Sequence, residues 1–477
     1  MQSRADFLYS EFLARMSVGA TSCQDRFLRS TADFLMGDDH DIMVVNGYAG
    51  TGKTTAVSAV VSALENLRLH TVLLAPTGRA AKVLGETCGR PAFTIHKHIY
   101  RQKSVGEDGF GQFSIVPNKA RNTLFVVDEV SLLGIEEAVR PSSAVFGTGN
   151  LLSDLVGFVR AGTDCRLLLI GDAAQLPPIG LEASPALAPD FMDSFGGVCY
   201  ETLTTVVRHA RESGILHNAT LLRELIASAS PDDSFEGVRL QTEGFDDICR
   251  IGGGELIEAM EDAYGEFGED GVMVVCRSNR RAIRYNMGIR SSVQFKEDRL
   301  VRGDRLMIVK NCYQFVENVE GMDYIANGDI ATLERIGGFE ERYGLHFADA
   351  TLAFPDYGAT LAAKVCLDTL ESESASLTYE QQNRLYQGVS ADYSDIRGRK
   401  ARYEAVREDP FYNALQLKYA NAITAHKSQG GQWDCVFIDC PFWQDEQTSD
   451  DLKWLYTALT RAVRKVYLVN FPPRFFE

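Results

Sequence analysis

Short, unbroken apolar runs separated by polar turns mark the first part of the chain. Ile42-Met43-Val44-Val45 leads into a glycine turn, Gly47 to Gly52, then a stretch of helical periodicity from Thr54 to Leu67 and a second apolar run, Thr71 to Ala75. Apolar runs without alternation suit strands buried on both faces, and strand, helix, strand in that order predicts a βαβ unit with parallel strands. Further buried strands are expected at Leu124 to Val127, Leu167 to Ile170, Val272 to Cys276, Val436 to Ile438 and Val466 to Val469. They fall into two groups, so the expected class is α/β with two parallel-sheet lobes in tandem.

Two stretches break this pattern. Arg101 to Ala120 sets Gly106, Gly109, Gly111 and Pro117 around Phe110 and Phe113, as in a protruding hairpin. Residues 296–414 begin like a small β-barrel, with Arg305 to Val309, the tight turn Asn327-Gly328-Asp329 and Ala331 to Leu333. They continue as a polar, helix-compatible, solvent-exposed arm from Thr369 to Arg407. The expected division is a first lobe over 1–200 carrying a hairpin insertion at 93–120, and a second lobe over 201–295 and 415–477 interrupted by barrel and arm at 296–414.

Composition narrows the class without naming it. With 45% hydrophobic and 24% charged residues in 477, the chain is globular rather than disordered or fibrous. Its longest apolar runs fall far short of the ~18 residues that cross a bilayer. Arg4, Asp6, Glu11 and Arg15 interrupt the N-terminal stretch, so neither a membrane span nor a signal peptide is expected. The expected location is a cytoplasm-like compartment, the host's if the chain is phage-encoded. Ten cysteines lack zinc-knuckle or redox spacing and are expected to be buried free thiols. The 48 basic and 65 acidic residues give −17, which argues against a general nucleic-acid coat. The field in a cleft depends on its own lining, however, so a local basic groove stays open.

The chemistry-bearing residues follow the strands. Gly47-Tyr48-Ala49-Gly50-Thr51-Gly52-Lys53-Thr54 fits the phosphate loop G-x-x-x-x-G-K-[ST] between an apolar strand and a helix. Its backbone N–H groups, at Gly50, Thr51, Gly52 and on to Thr55, curl around phosphates. Lys53 neutralises β/γ charge, and the Thr54 hydroxyl is a ligand for Mg²⁺. Leu124 to Val127 ends in Asp128-Glu129: Asp128 suits the Mg²⁺ shell, and Glu129 suits orienting or deprotonating an attacking water. Gln175, in Gly171 to Pro178 after another apolar strand, is placed to sense a γ-phosphate. Arg208 and Arg461 are candidates for stabilising transition-state charge, although most arginines are surface charges. The plainer alternatives are a ligand-free glycine turn, a solvated helix start and a proline turn. They lose ground because the motifs occur together.

The series of phosphate loop, Ala75 to Ala81, Thr94-Ile95-His96, Asp128 to Ser131, Gly171 to Pro178, Thr424 to Gly430 and Tyr456 to Ala462 resembles superfamily 1 helicases, and within them the RecD-type branch with its Dda-like phage members. The resemblance covers nearly the whole chain. It implies two RecA-like lobes with ATP between them, a hairpin pin in the first and an SH3-like barrel in the second. It implies Arg208 and Arg461 on the γ-phosphate, Gln175 as coupling residue, Gln24 at the adenine and Gly430 near the nucleotide. Thr77, Arg79, His96, Thr424, His426 and Lys427 are then expected along single-stranded DNA, with Phe110 or Phe113 splitting the duplex. The local sequence Thr21-Ser22-Cys23-Gln24 lacks the family's Leu-Thr before the glutamine, and His209 replaces the usual polar amide after Arg208. The implied activity is ATP hydrolysis driving movement 5′ to 3′ on single-stranded DNA and unwinding of forked duplexes by a monomer, with a single-strand-binding protein as a candidate partner. Two readings from other classes stay open: a phosphate-loop phosphotransferase, and an ATP-switched strand-binding protein that does not move.

Overall fold

The computed structural model describes residues 3–105, 111–135, 145–206, 213–228, 234–236, 238–312, 314–316, 325–442, 444 and 446–476. Phe110 and Arg208 lie outside them. Among the described residues the first lobe holds a six-stranded parallel sheet, in the order Ala92–Thr94, His70–Ala75, Thr123–Val127, Arg166–Gly171, Ile42–Gly47, Val198–Leu203. Alternate residues of its central strands enter two separate cores. Met43, Val45, Leu124 and Val126 meet the helices Ser22–Met36 and Lys53–Asn66 on one face, whereas Ile42, Val44, Phe125 and Val127 meet Leu151–Arg160 on the other. Burial on both faces is why these strands read as unbroken apolar runs.

The second lobe repeats the plan. Its described sheet has five parallel strands, in the order Ile248–Ile251, Ala462–Val469, Trp433–Asp439, Val272–Cys276, Ala422–Thr424. Its larger core takes in Met273, Val275, Val436 and Ile438 and runs on into Ala174 and Leu176 of the first lobe. The two lobes therefore share apolar packing along the cleft between them. No helix among the described residues is long and apolar enough to cross a membrane.

Both insertions are present. Tyr100–Val105 and Gly111–Ile115 pair antiparallel, and a short strand distant in sequence, Val145–Phe146, adds to them. In the second lobe Arg305–Ile308, Ile330–Arg342, Leu345–Phe354, Ala359–Cys366 and Leu415–Tyr419 close into a barrel. Asn327-Gly328 is a turn, as expected, but it lies within the long connection from Ile308 to Ile330 rather than joining adjacent strands directly.

The segment expected as a solvent-exposed arm differs. Its helices Tyr379–Asp392 and Arg399–Glu408 bury Leu385, Val389 and Val406 against Leu345 and Phe347 of the long hairpin, a separate small core. Polar residues outnumber these apolar positions in the sequence, yet Leu385 and Val389, four residues apart, share one helical face. At the barrel's other side a Cβ on Gly78 would lie 2.6 Å from that of Ala326, so barrel and first lobe touch at the start of the helix Gly78–Cys88.

Candidate nucleotide cleft and nucleic-acid interface

The phosphate loop takes its shape from two glycines. Gly50 and Gly52 have φ of +74° and +72°, the left-handed region that other residues enter only with strain. Gly52 caps the helix Lys53–Asn66 and supplies no side-chain bond, leaving first-turn N–H groups suited to an anion. Lys53 donates to the Gly47 carbonyl, and its ammonium lies 3.8 Å from the buried carboxylate of Asp172. Gln24 braces the loop from behind. Its Nε2 donates to the carbonyls of Thr51 at 3.0 Å and Gly52 at 3.3 Å, while its Oε1 accepts from the Thr21 N–H at 2.9 Å.

Asp128 follows the strand Thr123–Val127 and accepts the Glu129 N–H at 2.8 Å. Burial, with the Glu129 charge beside it, raises its carboxyl to about 6; Lys53 opposes the shift. An acid whose folded pKa exceeds its unfolded value loses stability as pH rises between the two. A divalent cation at this carboxylate would offset that cost, and Thr54 and Asp128 supply the hard oxygen donors that would suit Mg²⁺. Glu129 itself sits at φ +55°, an uncommon conformation of the kind that collects at working sites. Gln175 is 5% exposed, and its Oε1 has no hydrogen-bond partner among the described residues. An orphaned buried acceptor costs about 1–3 kcal/mol, which a water or ligand bond would recover.

The second lobe closes over this loop through two helices: Gly214–Ser228, whose Arg223 lies 4.7 Å from the centre of the Tyr48 ring, and Ser449–Leu459. The Tyr456 hydroxyl accepts the Ala49 N–H of the phosphate loop at 2.9 Å and donates to Asp172 at 2.7 Å. Burial and the Asp172 charge drive the phenol far above its usual range, so it stays a donor. One residue on, the Thr457 hydroxyl accepts the Leu176 N–H at 2.8 Å, and Gln429 Nε2 donates to the Leu176 carbonyl at 2.8 Å. Arg461 is 4% exposed. Its Nε donates to Thr457 O at 3.1 Å, one Nη to Gly431 O at 3.3 Å and the other to Thr460 Oγ1 at 3.1 Å. Lys53 and the helix leading to Arg461 thus border one cleft.

The residues expected along DNA are placed less uniformly. The Thr77 hydroxyl caps the helix Gly78–Cys88 by accepting from Ala80 at 3.2 Å. Thr424, Lys427 and Asn279 line a small cavity where second lobe and barrel meet. Burial lowers His426, as does Arg277 nearby, and burial alone lowers Lys427. His96 packs edge-on against Phe146 at 4.9 Å, and Phe113 stacks on the same ring at 4.3 Å, so Phe113 sits at the root of the hairpin. Arg79 lies over the Trp433 ring of the second lobe, 4.1 Å from its centre. Of the basic residues after the first-lobe strands, Arg101 is turned onto the carbonyls of Lys97 and Tyr100, and His98 packs edge-on against Phe125 and Phe158.

Asp172, Tyr456, Thr457, Trp433 and Phe146 carry contacts that the sequence motifs gave no role. Tyr456 and Asp172 are 284 positions apart, and such a bond leaves no local pattern. A tyrosine five residues before Arg461, on the apolar stretch Trp454 to Tyr456, was the available signal.

Two protein-family models match stretches of this chain. An AAA domain family matches residues 29–229, and a UvrD-like helicase C-terminal domain matches residues 419–469. The ATP-dependent RecD2 DNA helicase of Deinococcus radiodurans is 33% identical over 219 residues, covering 45% of this chain and 26% of that protein. The ATP-dependent DNA helicase dda of phage T4 is 23% identical over 457 residues, covering 90% of this chain and 94% of that protein. An uncharacterized Methanocaldococcus jannaschii protein is 22% identical, over 89% of this chain and 36% of its own length. The chain thus spans about a quarter of the RecD2 relative and about a third of the archaeal one. Among solved structures, Pif1 helicase from Bacteroides with ADP-AlF3 and ssDNA aligns at a TM-score of 0.47 and 14% identity, over 97% of this chain and 95% of that one.

Proposed function

We propose, taking homology to RecD2 and Dda helicases as premise, that this chain is an ATP-driven motor that moves on single-stranded DNA and separates forked duplexes. The observation that carries the reading is the bond chain from Ala49 N–H through Tyr456 to Asp172, with Lys53 beside it. It sets the helix before Arg461 against the loop that would grip the phosphates.

In this reading Lys53 and the loop N–H groups bind the β- and γ-phosphates, Glu129 orients the attacking water, and Gln175 offers its unpaired oxygen to that water. Thr54 and Asp128 would hold Mg²⁺, which supplies charge neutralisation on the phosphates. Arg461, with Arg208, stabilises charge developing on the γ-phosphate from the other lobe. A lobe equilibrium driven from 1:99 to 99:1 needs ~5.5 kcal/mol of differential binding, whereas opening one base-pair step costs ~1.4 kcal/mol. Energy is then sufficient for single-base steps, and coupling becomes the demanding part.

Movement 5′ to 3′ is expected from the resemblance. The deciding experiment is ATP-dependent unwinding of forks bearing only a 5′ or only a 3′ tail, in DNA and in RNA, with Lys53→Ala beside the parent. The expected result is unwinding of the 5′-tailed DNA fork and its loss in Lys53→Ala, while strand binding persists. Unwinding that survives the substitution would overturn the motor. Activity only on the 3′-tailed fork would overturn the direction.

A further inference from the structure

We propose that Arg79 and Trp433 form a relay by which strand binding on the first lobe sets the position of Arg461 in the second. The inference rests on the motor reading above and adds to it a specific route of coupling.

Arg79 is the second residue of the helix Gly78–Cys88, whose N-terminus is capped by Thr77. Its half-buried guanidinium crosses the cleft and lies 4.1 Å from the centre of the Trp433 ring. Trp433 is itself a bracket for the arginine beyond it. Its N–H donates to the Arg461 carbonyl at 3.0 Å, while the carbonyl of Gly431, two residues earlier, accepts from the Arg461 guanidinium at 3.3 Å. The segment Gly431 to Trp433 therefore holds Arg461 at both its backbone and its side chain, and Arg79 packs on that segment.

Two glycines make the approach possible. A Cβ on Gly431 would lie 2.7 Å from Arg79 Nε and 2.8 Å from a Trp433 ring carbon, inside van der Waals contact with both. Gly430 has φ +73°, and a Cβ there would lie 2.9 Å from that of Ala80. A side chain at 431 would have to displace the Arg79 guanidinium or the indole from their stacked positions. A planar cation on an indole face is held by charge and shape together. Strand binding on the first-lobe face that carries Arg79 would steady this side chain, Arg79 would steady Gly431 to Trp433, and that segment would fix the position from which Arg461 serves the cleft. Arg79 and Trp433 are positioning residues in this scheme. The simpler role for Arg79, a direct phosphate contact, makes a different prediction.

The test uses the full chain, with steady-state ATP hydrolysis measured at saturating oligo(dT) and oligo(dT) binding followed by fluorescence anisotropy. Gly431→Ala leaves the charge of Arg79 intact. It is expected to bind oligo(dT) within about twofold of the parent yet lose about tenfold in kcat at saturating DNA, with little change in KM for ATP, because Arg461 acts in the transition state. Arg79→Ala should lose kcat by a similar factor, and the double variant no more than either alone, as for residues sharing one contact. Trp433→Phe, which keeps a ring, should retain more of the DNA-stimulated rate than Trp433→Leu when urea midpoints show both folded. The relay is overturned if Gly431→Ala keeps the full stimulated rate. It is also overturned if Arg79→Ala weakens oligo(dT) binding but reaches the parent kcat at saturation. If the parent itself shows no stimulation by oligo(dT), the motor reading fails, whereas stimulation that resists these substitutions fails the relay alone.

Discussion

The two sides of the cleft reach their places by opposite routes. On the first-lobe side, Lys53 bonds the carbonyl of Gly47 six residues before it, and loop and helix are consecutive in the chain. On the second-lobe side, Arg461 leans on Gly431, thirty residues away, and its segment is packed on by Arg79 from the other lobe. One half of the site is a local structure that a short stretch can form. The other adds to the local bonds of Arg461 with Thr457 and Thr460 a contact to Gly431 and a stack between Arg79 and Trp433 that exist only when the second-lobe sheet and both lobes are in place. Damage to the first should act on nucleotide binding directly, and damage to the second on the rate after binding.

The largest effect expected from this contrast is at Arg461. Arg461→Ala should lower kcat by ~10³ while KM for ATP moves little, in line with arginines that stabilise phosphoryl-transfer charge. Arg461→Lys should do little better, because the bonds to Thr457, Gly431 and Thr460 use the planar fork. A rise in KM equal to the fall in kcat/KM would place Arg461 in ground-state binding instead.

Tyr456→Phe comes next. It removes the donor to Asp172 and the acceptor for Ala49 N–H. About 1–3 kcal/mol of stability should be lost for the groups left unpaired, read from urea unfolding. An unchanged midpoint would mean that the lobes do not depend on this bond.

Gly50→Ala should cost about 1 kcal/mol for a left-handed residue and raise KM for ATP more than it lowers kcat. A fall in kcat with KM unchanged would blur the distinction between the two sides.

A further effect, confined to alkaline conditions, concerns pH at the barrel. Lys418 is pushed down to about 8 by burial, with Lys427 adding to it, from an ordinary 10.5. Between those values the unfolded chain holds a proton that the folded one lacks, so stability from this group rises with pH across that window. The stability difference between Lys418→Met and the parent should therefore shift in the parent's favour between pH 8 and 10. A flat difference would show that Lys418 titrates normally.

How much of this was readable beforehand varies with distance along the chain. The strand, turn and helix around Lys53 were legible because their residues are neighbours and glycine enters those backbone angles without the strain other residues carry. The central strands were legible because burial on both faces demands unbroken apolar runs. The edge strands Ala92–Thr94, Val198–Leu203 and Ile248–Ile251 were not, since an edge tolerates polar residues such as Thr94, Glu201 and Arg250. The helices between the barrel's last two strands read as exposed because charge hides the buried Leu385, Val389 and Val406. Phe113 carried the right chemistry for a wedge, but its stack on Phe146 depends on a strand that arrives some thirty residues later.

What the amino-acid order determined alone is the set of groups available for phosphate chemistry and the local loop that presents half of them, because helix starts and glycine turns answer to adjacent residues. Tertiary structure decided which partners those groups have. Tyr456 meets Asp172, Arg79 meets Trp433, and Arg461 is held by Gly431 only once the two sheets have brought distant segments into contact, and a contact of that range has no signature in the order of residues.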